Sequence, residues 1–205
     1  MARKFEQIPT DAFNRIVFGA GVILTSFDPN DTVSKGTALD KSNILCITDG
    51  GVSITATPEY IDMADGLDNC PSNTKELKRL KQYTVTMSGT AKTIDETMTN
   101  RLLGATTEID GTVSGLIGRK PAYEISSSDD FHELWWVGDY GATNGGFVAI
   151  KIINALSTGG FSLQSSDGDK GSFSFSFTGH YSIDNNSTAP IEIYMTEVAA
   201  ELAGS

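Results

Sequence analysis

The chain is expected to fold as a mainly β protein, and three observations lead to that expectation. The first is the run Gly171-Ser172-Phe173-Ser174-Phe175-Ser176-Phe177-Thr178-Gly179-His180-Tyr181-Ser182-Ile183, which alternates strictly. Successive strand residues point to opposite sides, so Phe173, Phe175, Phe177, Tyr181 and Ile183 share one face while Ser172, Ser174, Ser176, Thr178, His180 and Ser182 share the other. Such a strand would run roughly 40 Å at about 3.3 Å per residue, twice the usual length. The second observation is that the same period-2 pattern returns in most other segments, bounded by turn chemistry. The third is the composition: 21 Gly among 205 residues with 39% hydrophobic and 20% charged residues, which fits a turn-rich globular β protein. One domain over 1–205 is expected, since all-β chains of this length are commonly single.

In chain order, residues 1–13 carry mixed charge and Pro9 without a sustained period, and read as an N-terminal arm whose order depends on docking. Ile16 to Leu24 alternate as a first strand, with Gly19 and Gly21 allowing bending or close approach. Phe27-Asp28-Pro29-Asn30-Asp31 is turn chemistry, and a polar loop leads to the apolar run Ile44-Leu45-Cys46-Ile47. Asp49-Gly50-Gly51 reads as a hairpin turn that would pair the strand Val52–Thr57 back onto that run.

From 59 to 80 the strand pattern fails. Asp62, Asp65 and Asp68 give way to Lys75, Lys78 and Arg79, so this is expected to be a long inter-strand loop with an acidic and a basic half. Loops of that length in compact domains are functional or disordered. The charge segregation suits a head-to-tail contact between identical subunits; a solvated surface loop is the plainer alternative.

Tyr83, Val85 and Met87 restore the strand period, and a helix over about residues 94–103 follows. Thr93-Ile94-Asp95-Glu96 fits a capping box with Thr93 as N-cap, Ile94, Met98 and Leu102 form its apolar stripe, and Gly104 sits at its end. Thr112-Val113-Ser114 and Ala122-Tyr123-Glu124-Ile125 read as short strands, and Phe131–Val137 pairs with Phe147–Ile153 through Asn144-Gly145-Gly146. Phe161-Ser162-Leu163, the long aromatic–serine strand and Ile191–Met195 complete the sheet, leaving 197–205 as a C-terminal tail with room for one helical turn.

The chemistry that would mark an enzyme is missing from the pattern. His132 and His180 lack a nucleophile–base setting, and Asp129, Asp130 and Glu133 beside Trp135 and Trp136 are the residues that a glycosidase-like carboxylate pair would have to use. There is no phosphate-binding loop, dinucleotide fingerprint or zinc spacing, and Asp167-Gly168-Asp169 lacks the remaining ligands of a calcium loop. Neither catalysis, a metal nor a cofactor is expected. A net charge of −11 argues against a nucleic-acid-binding surface, which needs clustered Lys and Arg. Cys46 and Cys70 read as reduced structural thiols, and Met1-Ala2-Arg3-Lys4 is followed by no apolar run, so a soluble chain made in the cytoplasm and without a membrane partner is expected. The hydroxyl face of 172–182 is either an ordinary solvated sheet face or a surface that lines or contacts something.

Over 146–196 the order is an apolar strand, Gly159-Gly160, Phe161-Ser162-Leu163-Gln164, a polar turn, Phe177-Thr178-Gly179-His180 and Pro190-Ile191-Glu192-Ile193-Tyr194. This resembles the major tail tube protein of long-tailed bacteriophages, and Phe13-Asn14-Arg15 entering a Gly-containing strand is similar to phage tail proteins as well. The resemblance implies a β-sandwich with a flanking helix whose copies form hexameric rings, stacked into a tube, with strands closing one large barrel around an acidic lumen. Ser172, Ser174, Ser176, Thr178 and His180 would then belong to the tube sheet, and Asp62, Asp65, Asp68, Lys75, Lys78 and Arg79 to ring-to-ring contacts. Other implied partners are tape measure, tail terminator and tail tip proteins, with double-stranded DNA passing through unbound, in a virion tail assembled in the bacterial cytoplasm. A carbohydrate- or receptor-binding β-sandwich is the other reading, motivated by Trp135, Trp136 and Tyr140, whose rings could stack on sugars if exposed.

Overall fold

A computed structural model describes residues 16–31, 39–111, 113–141 and 146–196. The expected N-terminal arm, 1–13, and C-terminal tail, 197–205, lie outside the described residues, as does most of the turn at 144–146.

The protein is mainly β, as the alternating segments predict. Its strands are β1 (Val17–Leu24), β2 (Ile44–Cys46), β3 (Thr48–Asp62), β4 (Lys78–Ala91), β5 (Thr106–Glu108), β6 (Arg119–Pro121), β7 (His132–Tyr140), β8 (Phe147–Ser157), β9 (Ser162–Gln164), β10 (Ser172–Gly179) and β11 (Ile191–Met195), with an α-helix, α1 (Glu96–Leu103), between β4 and β5. Nine strands form a single antiparallel sheet in the order β2-β1-β7-β8-β10-β4-β3, with β11 added beside β8 and β9 beside β10; β5 and β6 make a separate ladder.

The sheet curls because β8 changes partners along one edge. Val148–Ile152 pair with β11, whereas Ala155–Ser157 pair with β10. The switch falls at Asn154, which is left-handed at φ 50° and whose side-chain amide donates to the His180 carbonyl while the His180 N–H donates to the Asn154 carbonyl. This bend brings β1 and β3 together without hydrogen bonds between them. Inside the curl, Ile23, Leu45, Val85, Met87, Leu134, Ile152, Phe175 and Phe177 pack with Met98 and Leu102 of α1, so the helix plugs the concave side. A second cluster on the opposite face joins Leu24, Trp135, Val137, Phe147 and Ala149 with Phe27 and Tyr194.

Several expectations are corrected. Asp49-Gly50-Gly51 is no hairpin turn: both glycines are left-handed, but the chain runs on through a bulge in β3, which pairs with β4 while β2 pairs with β1. The helix is capped by Asp95, whose carboxylate accepts from the Met98 N–H at 2.7 Å, rather than by Thr93. Thr93 instead accepts from the Ile47 N–H, which ties the start of α1 to β2. Neither 113–114 nor 122–125 is a strand; the β5–β6 ladder flanks that region differently, through Arg119, which contacts Glu96 of α1 and Glu108 of β5.

The long strand is also shorter than its pattern. β10 is 8 residues, about 26 Å. It ends where Gly179 lies against Ile152 and Pro190, with no room for a larger residue, and the chain then turns at His180. Tyr181 no longer pairs as a strand residue, but its hydroxyl accepts from the Tyr83 N–H at 2.7 Å, the β4 donor that β10 leaves open. Ile183 is 96% exposed, so the shared apolar face ends at Phe177.

Close backbone packing makes Gly21 another test of the fold. It is left-handed at φ 68° and a Cβ there would fall within the Trp136 indole, whose Nε1 donates to the Ala20 carbonyl at 3.0 Å. Gly21→Ala should therefore destabilise by about 1–3 kcal/mol through overpacking and strain, read as a lower denaturant midpoint. Gly19→Ala, also at positive φ but with nothing near its Cβ, should cost less.

Candidate functional site

The outer half of the β3–β4 hairpin is largely exposed. The two strands pair from Thr48–Ala91 to Asp62–Lys78, but β10 covers β4 only as far as Val85. From Thr57–Thr84 outward they form a two-stranded ribbon, about 20 Å long at 3.3 Å per residue. β3 is the last strand of the sheet, so among the described residues no strand pairs with its outer edge.

This corrects the expected loop at 59–80. Residues 59–62 and 78–80 are strand, and only 63–77 connect them. The connection is ordered by its own hydrogen bonds. The Met63 N–H donates to the Leu77 carbonyl, and the Thr74 hydroxyl donates to the Pro71 carbonyl at 2.7 Å. Asp62 accepts from the Ala64 N–H at 3.0 Å and the Asn73 N–H at 2.6 Å, while Lys78 reaches the Asn73 side chain.

The acidic and basic halves are therefore partly used within the chain. Asp62 and Lys78 face each other across the ladder, Arg79 stands opposite Ile61, and Lys75 pairs with its neighbour Glu76 at 3.5 Å. Asp65 and Asp68 remain exposed in the connection. The two backbone N–H groups, and then Lys78, hold the Asp62 carboxyl below the usual carboxylate range. Its contribution to the tip is present above the ordinary carboxylate pKa and is lost as pH falls through the lowered one. Acidification should shift the Asn73 amide resonance in that range, and Asp62→Asn should abolish the titration; an unchanged titration would break the link between Asp62 and the tip.

Missed by the charge pattern is the apolar part of the ribbon. Tyr60, Ile61, Met63, Leu67 and Leu80 are each about half exposed. Tyr60 stands opposite Leu80 and lies on the same side of β3 as Pro58 and Ile54, so the face that Ile54 and Met87 turn to the core continues outward to side chains that are about half exposed. The available signal was the spacing of Tyr60, Met63, Leu67 and Leu80 among charges, which periodicity alone did not reveal.

On the opposite face of the sheet, Ser174, Ser176 and Thr178 of β10 stand beside Thr90, Ser88 and Thr86 of β4, and Ser53, Thr55 and Thr57 continue the array on β3. Four of the five tube-sheet candidates lie on β10, although Ser172 is beside Gln164 of β9; His180 is outside the strand, its ring edge-on to Phe131 at 5.3 Å.

The residues considered for catalysis have structural partners. Glu133 pairs with Lys151 at 2.6 Å, and Asp130 and Asp129 accept from the Ser126 N–H and hydroxyl, both at 2.7 Å. Burial, with Arg101 nearby, lowers the His132 pKa. Trp135 is 4% exposed, packed against Phe27 and Tyr194 under Lys151, and Trp136 is half-buried. Trp135 thus offers no open ring for stacking on a sugar.

No family model and no curated protein matches the chain. Among solved structures it is similar to a chain in the virion of a native gene transfer agent particle. The identity is 10% and the TM-score 0.41, over 87% of this chain and 96% of that one.

Proposed function

We propose that the chain is a structural virion protein that polymerises as stacked rings, six copies to a ring, into the tail tube of a long-tailed bacteriophage. The observation that carries this reading is the β3–β4 ribbon. Isolated two-stranded ribbons are marginal in water, and among the described residues this one and its connection leave five large apolar side chains about half exposed and no strand paired to the outer edge of β3. Docking against another copy would remove both liabilities at once.

The resemblance over 146–196 gives that copy-to-copy contact its setting. The ribbon, with Asp65, Asp68 and Arg79 exposed near its tip, would meet the neighbouring ring, and no catalytic group is required of it. Double-stranded DNA would pass through the assembled tube, and tape measure, terminator and tip proteins would bound its length. The binding-module reading loses the exposed tryptophan pair that motivated it.

Negative-stain electron microscopy of the purified chain over a wide concentration range, with no other tail component, tests the proposal. Hollow tubes or stacked rings are the expected result. Persistent monomers at every concentration, including after addition of preformed tube ends from a phage tail, would overturn it.

A further inference from the structure

The Ser/Thr face of β3, β4 and β10 differs from both kinds of surface that a sheet usually presents. Two cross-strand rows, Ser53–Ser88–Ser176 and Thr55–Thr86–Thr178, run straight across three strands without an apolar or charged side chain. The hydroxyls partly satisfy one another: Thr55 and Thr86 are 2.7 Å apart, and Thr178 lies 2.9 Å from Thr158 of the chain that follows β8. At either end the face is bounded by an ion pair that cancels itself, Lys92–Asp49 at 3.3 Å and Lys81–Glu59 at 2.7 Å. In a chain of net charge −11, this face carries no net charge.

Such a face is poorly suited to holding copies together, because its two hydroxyl rows offer no apolar side chain to remove from water, and exposed large apolar residues lie elsewhere, among them those on the ribbon, Val17 and Phe18 of β1, and those at 109–125. It is equally poorly suited to holding a polyanion. Duplex DNA carries one negative charge per about 1.7 Å, so a basic wall would bind it in proportion to its Lys and Arg contacts, while an acidic wall would oppose its passage. A hydroxyl wall does neither.

We propose that this face lines the bore of the tube and that the wall is uncharged, so that duplex DNA in transit meets hydrogen-bonded water rather than a fixed charge. The inference rests on the tube reading and departs from the acidic lumen that the resemblance implies. The chain's excess carboxylates would lie on the outer surface and between rings, screened from the bore beyond about 8 Å at physiological salt.

The test uses tubes made from the full chain with Cys70→Ser and one new thiol, Ser176→Cys. Cys46 stays silent because it is buried and its thiol is pushed up to about 11. Thr55→Cys, on the exposed part of the same face, is the second probe should the first variant not fold. N-ethylmaleimide and a maleimide carried on serum albumin, which is far wider than duplex DNA, are compared before and after assembly.

Unassembled chain should react with both reagents. In tubes, the small reagent should still react while the albumin reagent slows by at least about 10-fold. Equal albumin labelling would put the face outside, and loss of both reactions would put it in a contact between copies; either overturns the inference. Failure to form tubes, seen by microscopy before any label is added, is instead a failure of the tube reading. Charge is tested on Ser176→Lys tubes, which should retain a short duplex at least about 10-fold better than the parent at low salt and release it at high salt. Salt-dependent retention already present in the parent would overturn the uncharged wall.

Discussion

Phe177→Ala is expected to cost about 3–5 kcal/mol, a large part of the stability of a typical domain. Phe177 is 2% exposed and lies in the core between the sheet and α1. It stands between Met87 of β4 and Ser157 of β8, with the Phe175 ring 5.8 Å away, and its cluster includes Met98 and Leu102 of α1. Three strands and a helix thus converge on one side chain, and β10 is too constrained by hydrogen bonds on both edges to move into the space left behind. The denaturant midpoint should fall with little change in slope. Phe161→Ala, at an exposed ring of the same chemistry, should cost far less. Similar losses at the two positions would mean that the interior defined by β4, β8, β10 and α1 is not the main core.

That core was legible because it is built on one rule. Phe173, Phe175 and Phe177 alternate with hydroxyl residues, Val85 and Met87 do the same on β4, and Met98 and Leu102 mark one side of a helix whose end at Gly104 was also readable. What the pattern could not carry was termination and pairing. Alternation continues through Tyr181 to Ile183, yet β10 stops at Gly179 because Asn154 of β8 captures the His180 backbone, a contact between residues 26 apart. Gly50 and Gly51 have the positive φ values that a tight hairpin turn uses, but the same angles serve a bulge, and the choice was made by β4 offering a partner along the whole of β3. Asp95 and Thr93 are both good caps, and the side chain that also had Ile47 within reach was drawn away from the helix.

The candidate site was legible in charge and illegible in shape. Asp62, Lys78 and Arg79 broke the alternation, so the segment read as loop, whereas the backbone remains paired through all three. A ribbon exposed on both faces has no buried side to impose a hydrophobic period, which is why its strands were hidden. The correction changes which residues a test of assembly should touch. Reversing Lys75, Lys78 and Arg79 together would also disturb the tip, since Lys78 contacts Asn73 and lies beside Asp62, and a loss of tubes could then come from local misfolding.

Tyr60→Ser with Leu80→Ser avoids that ambiguity and is expected to abolish tube formation while the monomer keeps its fold. Both side chains are about half exposed, stand opposite each other beyond the reach of β10, and take no part in the clusters that hold the sheet together. Their replacement should leave the denaturant midpoint of the unassembled chain within about 0.5 kcal/mol of the parent, as for surface substitutions away from caps and buried networks. If copies dock through the ribbon, however, each interface loses two large apolar anchors, and hot-spot residues of this kind cost 2 kcal/mol or more apiece in typical interfaces. Repeated at every ring, such a loss should raise the concentration needed for polymerisation by at least about 100-fold, since each 1.4 kcal/mol is a factor of ten. Sedimentation across a concentration series reads this directly. Tubes forming at the parent's threshold would remove the ribbon from the assembly contact and leave its exposed apolar face to some other partner, whereas a lowered midpoint together with lost tubes would show that Tyr60 and Leu80 support the monomer itself.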